Sequence, residues 1–189
     1  RRELKALLKD FKGVKVLNLD DLDVAAPIIV ENGRTFRQNS VKKAVTMSRF
    51  FDGLVLADDS GLEVDALHGR PGVRSSRFAR AKATDRENNE KLVKLLQSVP
   101  DRKRTARFVC NISLAKDGHL LANFEGAAKG TILTKGKGRN GFGYDPLFVP
   151  KGHDRTFAEM SASYKNKISH RAAALNKLKR SIQKFLKDR

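Results

Sequence analysis

An α/β fold is predicted by three observations on this 189-residue chain. Segments 36–50, 84–99 and 168–187 carry apolar residues at intervals of three and four, the spacing of amphipathic helices. Short apolar runs, Leu54-Val55-Leu56-Ala57 and Leu147-Phe148-Val149, lie among them as strands. Residues 104–115 instead alternate with period two and lead into Asp117-Gly118, a hairpin turn signal. Helices interspersed with short strands and one central hairpin make α/β the natural class.

The elements follow in order. Residues 2–10 read as a helix with the stripe Leu4, Leu7, Leu8, Phe11, stopping before Gly13. Val14 to Leu19 suits a strand, and Asp20, Asp21 and Asp23 lead through a connection to Pro27. Thr35 with Gln38 three residues on is a capping-box pattern, so a helix from 36 to about 50 is expected, facing inward through Val41, Ala44, Val45 and Ser48. The run 54–57 reads as a strand buried on both faces and ending at Asp58-Asp59-Ser60-Gly61. A loop with Gly69, Pro71 and Gly72 precedes a second capping box, Thr84 and Glu87, and a helix to about 99 buried through Leu92, Leu95, Leu96 and Val99. After the strand 104–115, residues 119–125 return antiparallel. Residues 135–145 form a glycine loop, 147–149 a short strand, and 168–187 a final helix buried through Ile168, Ala172, Leu175, Leu178, Ile182 and Phe185. No repeat or long linker divides the chain, and residues 1–189 are read as a single domain.

Composition narrows the classes. Apolar residues make up 40% and charged residues 32%, enough for a real core. The single cysteine, Cys110, excludes an internal disulfide framework and any cysteine-built zinc cluster. No apolar run approaches the roughly 20 residues of a membrane span, so a reducing, cytoplasmic setting is expected. Lys and Arg number 39 against 21 Asp and Glu, a net +18 that favours anionic partners, nucleotide phosphate or nucleic acid.

Three segments carry chemistry. Asp58 and Asp59 are adjacent acids at the expected carboxyl end of a strand, where open α/β sheets place ligands. Adjacent aspartates on extended chain cannot point the same way, so one suits a divalent ion while the other orients a water or shares the ion; Ser60 and Gly61 would let backbone amides approach a phosphate. The alternative is an Asp-rich turn capping the following segment. In Gly138-Arg139-Asn140-Gly141-Phe142-Gly143-Tyr144-Asp145-Pro146, glycines beside aromatics let backbone pass close to a planar ligand. Phe142 could stack on a base, and Asp145 could accept from ring nitrogens; otherwise the aromatics bury in the core. Lys165, Lys167, His170 and Arg171 cluster where the last helix begins, so first-turn amides would strengthen anion binding there. Most basic residues of that helix form its solvated face.

Together these segments resemble the inosine triphosphate pyrophosphatase family, which clears the aberrant purine nucleoside triphosphates (d)ITP and XTP. The matching stretches are Leu56-Ala-Asp-Asp-Ser-Gly-Leu-Glu-Val-Asp65 with Pro71-Gly-Val73, Ala83-Thr-Asp85, Gly141-Phe-Gly-Tyr-Asp-Pro-Leu-Phe148 and Ile168-Ser-His-Arg171. The resemblance covers essentially the whole chain and implies a two-lobed, mixed-sheet α/β fold with a nucleotide cleft between lobes, a homodimer, and Mg²⁺-dependent cleavage between the α- and β-phosphates. It further implies Asp59 as the base that activates water and Asp58 as a metal-site carboxylate. Phe142 would stack on the base; Asp145, His170 and Arg171 would read the purine edge. Lys165 and Lys43 would face the phosphates, with Ser60 also on the substrate.

Two departures stand out. The family's first strand and Thr-Gly-Asn-x-x-Lys loop, expected just before the helix 2–10, are not in this sequence, which therefore reads as incomplete at its N-terminus. Where the resemblance leads one to expect a metal-binding Glu before Asn39, Gln38 stands instead, offering a carbonyl oxygen without charge. Two other readings remain beside the enzyme: a basic nucleic-acid-binding module, and a weakened nucleotide-binding descendant of the family.

Overall fold

A computed structural model describes residues 15–21 and 26–186. Four strands, β1 (Val55–Val64), β2 (Thr105–Lys116), β3 (His119–Ile132) and β4 (Phe148–Pro150), pair antiparallel in the order β1-β2-β3-β4. Helix α1 (Phe36–Met47) lies on one face and α4 (His170–Leu186) on the other; α2 (Asp85–Leu96) and the short α3 (Ala162–Ile168) complete the regular elements among the described residues. The α/β class is thus observed, with helices flanking a central sheet. The hairpin forms where Asp117 and Gly118 take φ of +50° and +79°, the left-handed pair its two-residue turn needs.

Several boundaries differ from expectation. The helix at 2–10 and Val14 lie outside the described residues, while residues 15–18 are irregular and Leu19–Asp21 is a 3-10 turn, so the first expected strand is not seen there. Strand β1 does not stop at Ala57: it pairs with β2 from Val55 opposite Ala115 to Val64 opposite Ala106. The aspartates therefore sit within a strand and not at its end. The long partner strand supplies hydrogen-bonding positions well past the apolar run, and that pairing extends β1. β3 continues to Ile132 for the same reason.

The buried face of α1 is Phe36, Asn39, Ser40, Ala44 and Met47, followed by Ser48 at its C-cap. Val41 and Val45 are only half-buried, because the sheet face beneath α1 is itself polar; Ser40 Oγ meets Ser113 Oγ at 2.8 Å. Thr84 and Glu87 form the reciprocal capping box at the start of α2, but the helix ends at Leu96 and Leu95 is exposed. The final helix begins at His170, two residues later than expected, and the short α3 before it is not expected from the sequence. Ser169 is extended, and its Oγ accepts from Ala172 N–H at 3.2 Å, capping α4 and separating it from α3.

Two apolar clusters hold these layers. Leu62, Leu92, Leu96, Phe108, Phe148 and Phe157 belong to one; Ile112, Leu114, Leu175, Leu178 and Ile182 belong to the other, beneath α4. Helix α4 reaches β3 at Gly126, where any Cβ would lie 2.2 Å from Ala174 N and 2.3 Å from His170 O. That contact sets where the first turn of α4 sits.

Candidate functional site

Strand alternation sends Asp58 and Asp59 to opposite faces of the sheet. Asp59 turns toward α1, where its Oδ2 accepts from Asn39 Nδ2 at 2.9 Å and its Oδ1 lies 3.5 Å from Lys43 Nζ. Asn39 and Lys43 are four apart, so they share one face of α1. The same Nζ lies 3.1 Å from Glu31 Oε2, so one ammonium joins two carboxylates. Burial pushes the Asp59 carboxyl above its ordinary value; Asn39 and Lys43 oppose the rise and Glu31 adds to it.

Asp58 turns toward α4. Its Oδ2 accepts from Ser60 Oγ at 3.0 Å and from Arg171 Nε at 3.2 Å. The guanidinium of Arg171 also lies 5.3 Å from the centroid of the Phe142 ring, and Lys165 Nζ lies 4.5 Å from that centroid. Phe142 is half exposed, at 51%. Both cations thus lie close to one half-exposed ring.

Beneath that ring the polar groups are buried. Lys165 Nζ and Asp145 Oδ2 pair at 2.6 Å, with side chains 7% and 2% exposed. The same Oδ2 accepts from Phe142 N–H at 2.9 Å. Gly141, at φ +78°, has no room for a side chain, since a Cβ there would lie 2.0 Å from Asp145 Oδ2. His170 is fully enclosed and stacks on Phe108, centroids 4.8 Å apart and planes at 12°. Burial, then Arg171 and Lys165, drives its pKa well below the ordinary imidazole value, so the ring is neutral near pH 7. Its Nδ1 is buried without a hydrogen-bond partner.

The residues singled out in the sequence therefore fall into two groups. Lys43 and Asp59 meet on the α1 side; Phe142, Asp145, Lys165, His170 and Arg171 gather at the start of α4; Asp58 and Ser60 adjoin Arg171. Gln38 joins neither. It is exposed, and its Oε1 accepts from Arg34 N–H at 2.7 Å while its own N–H donates to Thr35 Oγ1. One half of the expected capping box thus forms, while the other is displaced by one residue, from Thr35 N–H to Arg34 N–H. Asn39 and Glu31 join the Lys43–Asp59 group and are not among the residues the sequence singles out. Asn39 carried a signal, a polar residue four before Lys43; Glu31 sits in an irregular segment and carried none.

Among the described residues no three His, Cys, Asp or Glu side chains converge as a metal cluster. Two carboxylates do meet a single cation at Lys43. Oxygen donors of that kind suit Mg²⁺, which keeps several waters and is held by one or two carboxylates together with substrate phosphates. No helix among the described residues is long and apolar enough to cross a membrane.

Residues 1–181 match the sequence model of the Ham1 family. The chain is similar to the dITP/XTP pyrophosphatase of Shouchella clausii, 50% identical over 157 residues covering 83% of this chain and 79% of that protein. It is likewise similar to the Bacillus licheniformis dITP/XTP pyrophosphatase, 46% identical over 94% of this chain and 89% of that one. In three dimensions it is similar to a HAM1 protein from Coxiella burnetii, with TM-score 0.85 and 38% identity, covering 97% of this chain and 92% of the other. The Staphylococcus aureus Ham1 protein gives 0.82 and 36%, with 96% and 92% covered.

Proposed function

The chain belongs to the Ham1 family, and from that premise we propose that it hydrolyses ITP, dITP and XTP to the nucleoside monophosphate and pyrophosphate. The observation that carries this reading is Arg171. Its Nε binds Asp58, the neighbour of Asp59 in β1, while its guanidinium faces the exposed ring of Phe142. One side chain thereby connects the carboxylate strand to an aromatic surface able to stack on a base.

Within this reading Asp59 is the general base. Asn39 holds one of its oxygens, and burial raises its proton affinity toward the range useful for taking a proton from water. Lys43 would supply positive charge for the phosphates. Phe142 would stack on the purine, with Arg171 donating to a 6-oxo group and neutral His170 offering a ring nitrogen to the base edge. Asp145 would act with Lys165, its buried partner, beneath that surface. Ser60 would act through Asp58. Mg²⁺ would be held by Asp59 and Glu31, and would neutralise phosphate charge when bound. Asp58, tied to Arg171, is better suited to orienting that arginine than to the ion, and Gln38 to starting α1.

Pyrophosphate release from ITP, XTP, GTP and ATP, with and without Mg²⁺, tests the reading. Metal-dependent turnover of ITP and XTP well above that of ATP and GTP is the expected result. Equal turnover of all four, or none, would overturn it.

A further inference from the structure

The backbone of Gly143 is held on both sides by one face of α2. Its N–H donates to Asp85 Oδ2 at 2.6 Å, and its C=O accepts from Asn89 Nδ2 at 2.8 Å. Asp85 and Asn89 are four residues apart in α2, so their side chains leave the same face one turn apart. Gly143 directly follows Phe142. The next residue, Tyr144, is anchored too, its hydroxyl donating to Ser75 C=O at 2.9 Å.

At Gly143 itself this grip is made by polar contacts. In the direction a Cβ of Gly143 would take, nothing lies within 4 Å. The hold is made by hydrogen bonds, and it has a cost: Asn89 Oδ1 is left buried without a partner. The outcome is a fixed backbone on either side of an exposed ring. Asp145 takes the N–H of Phe142, and Asp85 and Asn89 take both polar groups of the next residue.

We propose that Asp85 and Asn89 are positioning residues for the base platform, holding the Phe142 ring against Lys165 and Arg171 so that a purine finds its stacking surface already in place. The proposal rests on the reading of Phe142 as the stacking residue. It adds that α2, acting through Gly143, sets affinity for the base and leaves affinity for the phosphates alone.

Calorimetry with two probes, IMP and inorganic pyrophosphate, tests this on the whole chain and on Asp85→Ala, Asp85→Asn and Asn89→Ala. Each alanine variant should bind IMP about fivefold to tenfold more weakly, the scale of one lost hydrogen bond, with pyrophosphate binding unchanged. The KM for ITP should rise while kcat stays within about twofold. Asp85→Asn should recover most of the loss, because its amide oxygen still accepts from Gly143 N–H. IMP and pyrophosphate binding falling together would make these residues merely structural and overturn the proposal. Unchanged IMP binding in both alanine variants would overturn it as well, leaving the function intact. A parent chain that binds pyrophosphate but no purine would instead remove the base-platform reading, and this proposal with it.

Discussion

Asp58 and Asp59 are neighbours in the chain, yet they serve opposite faces of the sheet: Asp58 accepts from Arg171 of α4 and Asp59 from Asn39 of α1. Their placement within an antiparallel strand makes this separation obligatory, because successive side chains leave opposite faces. The two acids therefore have different partners, and their substitutions should have different consequences.

Asp59→Asn should lower turnover of ITP by about 10²–10⁴-fold, the usual scale of general-base assistance, with IMP binding preserved. It should also melt higher than the parent at pH 7. A carboxyl whose folded pKa is raised above its unfolded value contributes stability that is full below the unfolded pKa and is lost as pH rises through the folded one. Asp59 is raised from 3.8, so ionised Asp59 weakens the fold at neutral pH. The melting advantage of the Asn variant should shrink as pH falls toward 3.8. Parent-like kcat in the variant would remove Asp59 from the chemistry.

Glu31→Gln and Gln38→Glu separate two origins of metal affinity. Glu31 shares the Lys43 ammonium with Asp59, whereas Gln38 is occupied at Arg34 N–H. Loss of a partner even beyond the directly bound ligands costs roughly 10–100-fold in metal affinity. Glu31→Gln should therefore raise the Mg²⁺ concentration at half-maximal binding at least about tenfold. Gln38→Glu should leave it unchanged. Calorimetric titration with Mg²⁺ in the presence of IMP and pyrophosphate reads both.

Arg171→Ala should harm ITP and XTP far more than ATP. The guanidinium only donates, so it can satisfy a 6-oxo group but would face the amino group of adenine donor to donor. A buried mismatch of that kind costs about 1–3 kcal/mol, or roughly tenfold to a hundredfold in discrimination. The ratio of kcat/KM for ITP over ATP should collapse by that factor. Equal losses on all nucleotides would make Arg171 a support for Asp58 alone.

Gly141→Ala and Gly143→Ala should differ sharply. Both glycines have positive φ, which costs an L-residue about 1–2 kcal/mol. Only at Gly141 would the new methyl group also strike the Asp145 carboxylate. That variant should lose much more thermal stability, and with it the Lys165–Asp145 pair; melting curves of the two proteins decide it.

Much of the protein is legible in the sequence alone. The hairpin at Asp117-Gly118, both helix starts at Thr35 and Thr84, and the period-two pattern of β2 are local chemistry, written in adjacent residues. The family is legible for a related reason: its motifs are short and contiguous. What adjacent residues cannot carry is pairing across distance. β1 runs past its apolar stretch because β2, some fifty residues later, offers ten paired positions from Val55 to Val64. That register, and no local propensity, puts Asp58 and Asp59 inside a strand. Ile168 keeps the apolar spacing of the last helix, yet the extended backbone of Ser169 and its bond to Ala172 start α4 at His170 and leave Ile168 as the end of α3. The partners of the site belong to the same kind of information. Glu31 reaches Asp59 through Lys43, and Asp85 with Asn89 reaches Gly143, across separations that the sequence does not encode as a pattern. Residue types and local turns were determined by the sequence itself. Which charges meet, which are buried, and which loop is held rigid were decided by the packing of distant segments, where burial sets the strength of every polar contact.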